Sequence, residues 1–322
     1  MLINFEKWHG CRNDFIVLWS NPNECSFLLD SLKRQASRLC AKDGSGIGAD
    51  GILVLERLHH QDLIPRRLTI INRDGSEAAN CGNGLRCAAL SIYRRILEEA
   101  PLELPASITI SIQGRENHCH FLSPPSKKNE AFLPWVAVSM GEVRIDWENP
   151  WHEEVLGRVT ALSQSLGIPA LKREVHTAEL GNRHVLIILE KAAEDLLAAV
   201  ALPLQTLWPE DPQAGGGINV HLVLSSEAND ADQRLARQGN CAPVSEVHQA
   251  QTWERGVGPT SACGSGAVAI VAAVLSSELA ERSHWMAVQM PGGRLYVQHK
   301  GRDFEAVLAG PGEFVFSGRV EV

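Results

Sequence analysis

Two short stretches carry the residues best suited to chemistry: "NCGNGLRC" at residues 80–87 and "ACGSGAVA" at residues 262–269. In each, a cysteine stands directly before two spaced glycines, Gly82 and Gly84 after Cys81, Gly264 and Gly266 after Cys263. Apolar runs follow, nearly continuous up to Tyr93 in the first case and unbroken from Ala267 to Leu275 in the second. A helix that is apolar all round must be buried. The pattern predicts a cysteine at the N-terminus of each of two buried helices, with glycines letting the backbone amides turn toward one point. Such a place favours a thiolate through the helix dipole, and its amides can bind a carboxylate or an enolate-like anion. The repeat extends upstream: Asn72 lies nine residues before Cys81 and Glu254 nine before Cys263, each followed by an arginine, Arg73 and Arg255. One such word alone reads equally well as a helix start in which cysteine packs as a small hydrophobe. Two words with shared upstream spacing read as two half-sites, each with a thiol, an arrangement for moving protons at two faces of one carbon.

Elements that would position these residues recur along the chain. Strand-like runs are "DFIVLWS", "GILVLE", "RRLTIIN", "SITISIQ", "PWVAVSM", "RHVLIILE", "INVHLVL", "MAVQM", "RLYVQH" and "EFVFSGRV". Helical patterns are fewer: "SFLLDSLKRQASRLC", "LRCAALSIYRRILEEA", "NPWHEEVLGRVTALSQSLG", "EDLLAAVAL" and "SGAVAIVAAVLSSELAERS". This balance predicts an α/β (α+β) protein built of curved, mostly antiparallel sheets packed on helices, not a doubly wound fold. Polar, turn-rich segments fall at 123–130, 208–217 and 225–251. The first marks a domain boundary, giving domains of residues 1–132 and 133–310. The others read as surface excursions of the second domain, the last long enough to be partly disordered.

The 322 residues, 44% of them hydrophobic, can bury one large core or two medium ones. A net charge of -8 spread along the chain, without basic clusters or acidic tails, argues against a nucleic-acid partner and for a small molecule. The first eight residues carry both charge signs and no apolar core of a secretory signal, and no apolar run is long enough to cross a bilayer. Eight cysteines at irregular spacings do not form a secreted disulfide framework. A cytoplasmic enzyme with no membrane partner is expected.

Three other readings compete. "GSGIGADG" contains G-x-G-x-x-G at Gly46, Gly48 and Gly51, but it follows a helical run and precedes a strand, the reverse of a dinucleotide site. "NHCH" at 117–120 offers zinc ligands, yet its residues alternate sides on a strand and no second ligand pair lies at a finger-like distance. No metal is expected. A cysteine hydrolase with His184 as base would leave the second cysteine word unexplained.

The cysteine words, with "HGCRNDF", "GIGADG", "LGNRH", "INV", "ERGVGPTSACGSGA", "PGGRLYV" and "GEFVFSGRV" in that order along the whole chain, resemble the diaminopimelate epimerases, a group of cofactor-independent amino-acid epimerases. The resemblance implies two pseudo-symmetric α/β domains, each a sheet wrapped around a central helix, with the active site in the cleft between them and a C-terminal strand, about 311–322, returning to the first domain. It implies epimerisation of LL-2,6-diaminopimelate to the meso form, on the route to lysine and peptidoglycan, with Cys81 and Cys263 as the proton-transferring pair and no cofactor. Asn182, His184 and Glu254 match positions around the reacting centre, where His184 and Glu254 would tune the thiols. Asn13, Asn72, Asn219 and Arg255 match positions that hold the substrate, and Gly82-Asn83 and Gly264-Ser265 would offer amides to its carboxylate. A racemase of another amino acid is the alternative within the group, and a homodimer is left open. The chain departs from the usual pattern at Arg183 (usually proline), Pro259 (usually acidic), Ser265 (commonly threonine) and Arg12 (typically glycine). Gly51 lacks an amide side chain that some members use.

Overall fold

Strand pairing repeats itself in two halves of the chain. The computed structural model describes residues 1–21, 25–59, 61–65, 67–78, 81–100, 104–122, 134–172, 174–191, 195–207, 217–227, 244–276, 285–298 and 306–322. These divide into two compact units, Met1–Ser139 with Ala309–Val322, and Met140–Leu308.

The first unit contains β1 (Leu2–Gly10), β2 (Asn13–Ser20), α1 (Cys25–Leu39), β3 (Gly51–Glu56), β4 (Arg67–Asn72), α2 (Gly82–Glu99), β5 (Ser107–Ile112), β6 (Arg115–Leu122) and the start of β7 (Trp135–Gly141). From β1 to β6, neighbouring strands pair antiparallel, parallel, antiparallel, parallel, antiparallel, with β7 antiparallel to β6. The second unit contains β8 (Arg144–Ile145), α3 (His152–Leu166), β9 (Val175–Glu179), β10 (Arg183–Ile188), α4 (Leu196–Leu204), β11 (Asn219–Glu227), β12 (Val244–Glu254), β13 (Gly258–Thr260), α5 (Gly264–Ser276), β14 (Trp285–Met290) and β15 (Gly293–Gln298). Here the series β9, β10, β11, β12, β14, β15 pairs in the same alternation. After β16 (Ala306–Gly310), the final strand β17 (Glu313–Glu321) lies antiparallel to β1 in the first unit.

The register makes positions of the two units correspond. Phe15 pairs with Gly51 at the start of one parallel ladder, and His184 pairs with Asn219 at the start of the other. Leu53 then pairs with Ile70, and His221 with Thr252. Phe15, Leu53 and Ile70 therefore answer to His184, His221 and Thr252, as Cys81 answers to Cys263.

Alternation along the strands sorts the core. Ile16, Leu18, Ile52 and Val54 pack with Leu28, Leu32 and Ala36 of α1. Leu53, of opposite parity, turns toward the start of α2. In the second unit Val185, Ile187, Val220 and Leu222 pack with residues of α3 and α4. Strands covered on both faces read as continuous apolar runs, which is why "GILVLE" and "INVHLVL" stand out. α2 packs on β1, β2, β3 and β6, and α5 on β9, β10, β11, β14 and β15. Both are buried over most of their length, as their all-round apolar sequence requires.

The strand and helix expectations are borne out, with one correction. Residues 225–251 are not a surface excursion throughout: Ser225–Glu227 continues β11 and Val244–Gln251 belongs to β12. Its polar composition misleads because β12 is an interior strand that buries His248 and Thr252. The segments at 123–130 and 228–243, most of 208–217 and the end of the last predicted helix lie outside the described residues.

Candidate active site

Cys81 is the N-cap of α2, in extended backbone, and its Sγ accepts the N–H of Gly84 at 3.3 Å. Cys263 precedes α5, and its Sγ accepts the N–H of Gly266 at the same 3.3 Å. In both words the backbone is held by a second bond, Leu85 N to Cys81 O (2.8 Å) and Ala267 N to Cys263 O (3.0 Å). A helix N-terminus with its first amides aimed at sulfur stabilises negative charge there. Cys81 is partly exposed, and Cys263 is 4% exposed. The second thiol has a further neighbour, Ser265 Oγ at 3.5 Å.

Polar side chains stand beside each cysteine at corresponding places. In the first unit Asn83 Nδ2 donates to Asn13 Oδ1 (3.1 Å), and Asn13 Nδ2 donates to Asp50 Oδ2 (2.9 Å), which also accepts the Asp14 N–H. Lys42 completes that cluster on Asp50 Oδ1 at 2.6 Å. In the second unit Asn182 Nδ2 donates to Ser265 Oγ (3.3 Å), and Asn182 Oδ1 faces His184 Nε2 (2.8 Å). His184 Nδ1 meets His221 Nε2 at 2.8 Å, and His221 Nδ1 meets Thr252 Oγ1 at 3.0 Å. Both rings are fully buried. Burial holds His184 well below the usual imidazole value, with His221 and Arg255 adding to the effect, and burial alone takes His221 down to about 3. Two neutral imidazoles result.

The remaining predicted residues are placed as follows. Asn219 donates to Arg183 O (3.1 Å) and accepts the Arg255 N–H (3.0 Å), so its amide fixes the turn leading to Arg255. Glu254 Oε1 accepts the Thr260 hydroxyl at 2.6 Å. Asn72 is exposed at the end of β4 and donates to Ser76 Oγ (3.0 Å). Gly82, Asn83 and Gly264 are buried in the first turns of their helices, with Ser265 half-buried. His184 turns Nε2 to Asn182 and not to sulfur, which does not fit the hydrolase reading, in which it would be the base.

The departures also have places. Arg12 adopts φ +60° in the turn between β1 and β2, a left-handed position that explains why glycine is typical there. Arg183 lies over the ring of Trp151, 5.8 Å from its centroid, and Pro259 lies in β13. Gly51 answers to Asn219, so the missing amide is on the first unit only.

Cys40 and Cys119 behave as core residues. Cys40 is pushed up to about 11 and Cys119 to about 12, in both cases mainly by burial. His118 and His120 flank Cys119 on β6 and are exposed on its other face. Among the described residues no group of three or more His, Cys, Asp and Glu is arranged to hold a metal ion.

Sequence reasoning missed His221, Thr252 and Asp50. The first two carried a signal. Asn182/His184, Asn219/His221 and Thr252/Glu254 are polar pairs two residues apart at strand ends, and a step of two keeps both side chains on one face.

This is the architecture of a two-unit epimerase-like fold with one helix-capping cysteine in each unit. Solved structures share the fold: a phenazine biosynthesis protein of the PhzF family from Bacillus anthracis (TM-score 0.61, 13% identity, 100% of both chains) and a hydroxyproline epimerase from Agrobacterium vitis bound to trans-4-hydroxy-L-proline (TM-score 0.57, 12% identity, 99% of this chain and 91% of that one). Residues 5–120 and 176–315 match the family model of diaminopimelate epimerase, and the chain belongs to that family. A diaminopimelate epimerase of Prochlorococcus marinus is 28% identical over 327 residues, covering 99% of each chain.

Proposed function

We propose that the protein inverts one α-carbon of LL-2,6-diaminopimelate to give the meso isomer, with Cys81 and Cys263 as its two proton carriers. One sulfur, as thiolate, takes the α-proton. The other, as thiol, gives a proton to the opposite face, so one C–H bond breaks, one forms, and the two sulfurs exchange charge states. The intermediate spreads its charge onto the adjacent carboxylate. Amides of Gly82-Asn83 and Gly264-Ser265 would receive that charge at the two helix ends. Asn182, His184 and Glu254 stand around the reacting centre. Asn13, Asn72, Asn219 and Arg255 hold the rest of the substrate, with the Arg255 guanidinium suited to gripping a carboxylate bidentately. On this reading residues of domains 1–132 (with 311–322) and 133–310 serve one substrate molecule without a cofactor. Such a biosynthetic role belongs in the cytoplasm, with a small amino acid as partner and a homodimer as the assembly to test.

The observation that carries this reading is the doubled thiol geometry, a cysteine receiving the N–H of the third residue of a buried helix in each of two units with the same strand order. The experiment is proton NMR of LL-2,6-diaminopimelate with the purified, reduced protein in deuterated water and no added cofactor. The expected result is loss of the α-proton signal with appearance of the meso isomer. Absence of exchange, with the protein folded and its thiols reduced, would move the substrate elsewhere.

A further inference from the structure

The two units differ in the side-chain layer that faces the start of the cysteine-bearing helix. Facing the start of α2 are Phe15, Leu53 and Ile70, all apolar, whereas the answering positions beside α5 are His184, His221 and Thr252. A Cβ at Gly84 would lie 3.1 Å from Leu53 Cδ2, and a Cβ at Gly266 would lie 2.3 Å from His221 Cε1. The His221 ring thus fills the place of a leucine, against the helix end that carries Cys263. Two buried imidazoles and a buried threonine are expensive to hold in an apolar layer unless every polar atom finds a partner.

Their partners form one unbroken series: Thr252 Oγ1, His221, His184, Asn182, Ser265 Oγ, Cys263 Sγ. With the Asn182 amide oriented as it is, valence sets the direction of the series. The Asn182 oxygen faces His184 Nε2, so that nitrogen carries the hydrogen. A neutral imidazole has one N–H. His184 Nδ1 is therefore an acceptor, which places the single N–H of His221 on Nε2. His221 Nδ1 in turn accepts from the Thr252 hydroxyl. At the other end Asn182 Nδ2 donates to Ser265 Oγ, leaving the serine hydrogen directed to sulfur.

We infer that His221 and Thr252 are positioning residues: they lock His184 in its Nε2–H form and, through Asn182 and Ser265, supply the Cys263 sulfur with an ordered donor, making Cys263 the thiolate of the resting protein. The inference rests on the two-thiol reading and deepens it. The lowered values of both imidazoles agree with two uncharged rings. At the answering place beside Cys81 the groups differ: Asn83 stands where Ser265 does, its amide donates to Asn13 Oδ1, and the Asn13 amide donates to Asp50. His184 acts here as a fixed donor and not as a proton acceptor. The same atoms would close the series in reverse only with the Asn182 amide turned over and Thr252 accepting, and the two orders differ in which ring nitrogens carry hydrogen.

Ring-nitrogen NMR of the full-length, histidine-labelled protein at neutral pH reads that difference directly. The expected result is Nε2–H with a bare Nδ1 on both His184 and His221. An Nδ1–H form or an imidazolium on either residue overturns the inference. Thr252→Val removes the terminal donor without changing side-chain shape. It is expected to unlock the His221 tautomer, lower kcat about ten- to hundred-fold with KM within about twofold, and slow iodoacetamide labelling of Cys263 but not of Cys81. Thr252→Ser restores all three. Unchanged kcat and labelling in a folded Thr252→Val protein would overturn the inference, and if that variant does not fold, the tautomers of the parent protein still decide. Assigned tautomers without turnover of diaminopimelate would uphold the relay and refute the substrate, whereas turnover with reversed tautomers would refute the relay alone.

Discussion

Gly84 and Gly266 hold corresponding positions, and both donate to a cysteine sulfur, yet their surroundings set different tolerances. A methyl group at 84 meets the end of the Leu53 side chain at 3.1 Å and Cys81 Sγ at 3.3 Å, contacts that a shift of a few tenths of an ångström relieves. At 266 it meets a ring held by hydrogen bonds at both nitrogens. Gly266→Ala is therefore expected to destabilise by about 1–3 kcal/mol, as overpacking of a filled core does, and Gly84→Ala by less, measured by urea unfolding. Equal losses would mean that the His221 ring yields as freely as a leucine. On the proposed two-thiol mechanism, a single substitution of Cys81 or Cys263 by alanine removes the proton carrier for one face of the α-carbon. Either variant is expected to lose at least about 10²-fold in kcat while keeping its fold by circular dichroism. Substantial turnover by either would remove the two-thiol mechanism.

Among the elements, the junction between β9 and α3 carries a titrating contact remote in kind from the thiols. His176 Nδ1 lies 2.8 Å from Asp146 Oδ2, and His152 Nδ1 lies 3.9 Å from Asp146 Oδ1. Burial alone would lower His176, but its bond to Asp146, the charge of Asp146 and Glu174 outweigh this and raise it above 6.5. Burial would likewise raise Asp146, yet the His176 hydrogen bond, the Thr177 N–H and the charges of His176 and His152 lower it below 3.8. The imidazole contributes stability that is fully present below its unfolded value and is lost as pH rises through its raised folded value. The carboxylate contributes above its unfolded value and loses this as pH falls through its lowered one. The stability difference between the parent protein and His176→Gln is thus expected to peak near about pH 5–6 and shrink above neutrality. A difference that grows with pH would contradict the pairing.

Most elements were legible because strands covered on both faces and all-round apolar helices leave continuous runs in the sequence. The short strands β8, β9, β13 and β16 left no such run, and neither did β1, with "NFEKWHG", and β12, with "SEVHQAQTWE", in which polar side chains are interleaved with the apolar ones. The cysteines were visible through duplication. The His184–His221–Thr252 contact was not, since it joins three strands and exists only once their register is known.

For the molecule as a whole, the chain ends are tied together. β17 pairs with β1 from Leu2↔Glu321 to His9↔Glu313, and the N-terminal amine donates to Val322 O at 2.7 Å. Phe314 and Phe316 stack edge-on against Trp8 and Phe5. A chain ending at Pro311 is expected to lose amide-exchange protection along β1 and to melt at lower temperature, with β1 left as an unpaired edge. Retained protection there would mean that β1 does not depend on the returning strand.

The central claim, that two thiols serve opposite faces of one carbon, is tested most directly by the isotope pattern at early conversion in deuterated water. Two separate proton carriers predict meso product that carries deuterium at the inverted carbon from the first turnovers, while the remaining LL substrate keeps its protium. Product that retains the original proton, or substrate that gains deuterium as fast as product forms, would mean that a single group removes and returns the proton, and would contradict the account.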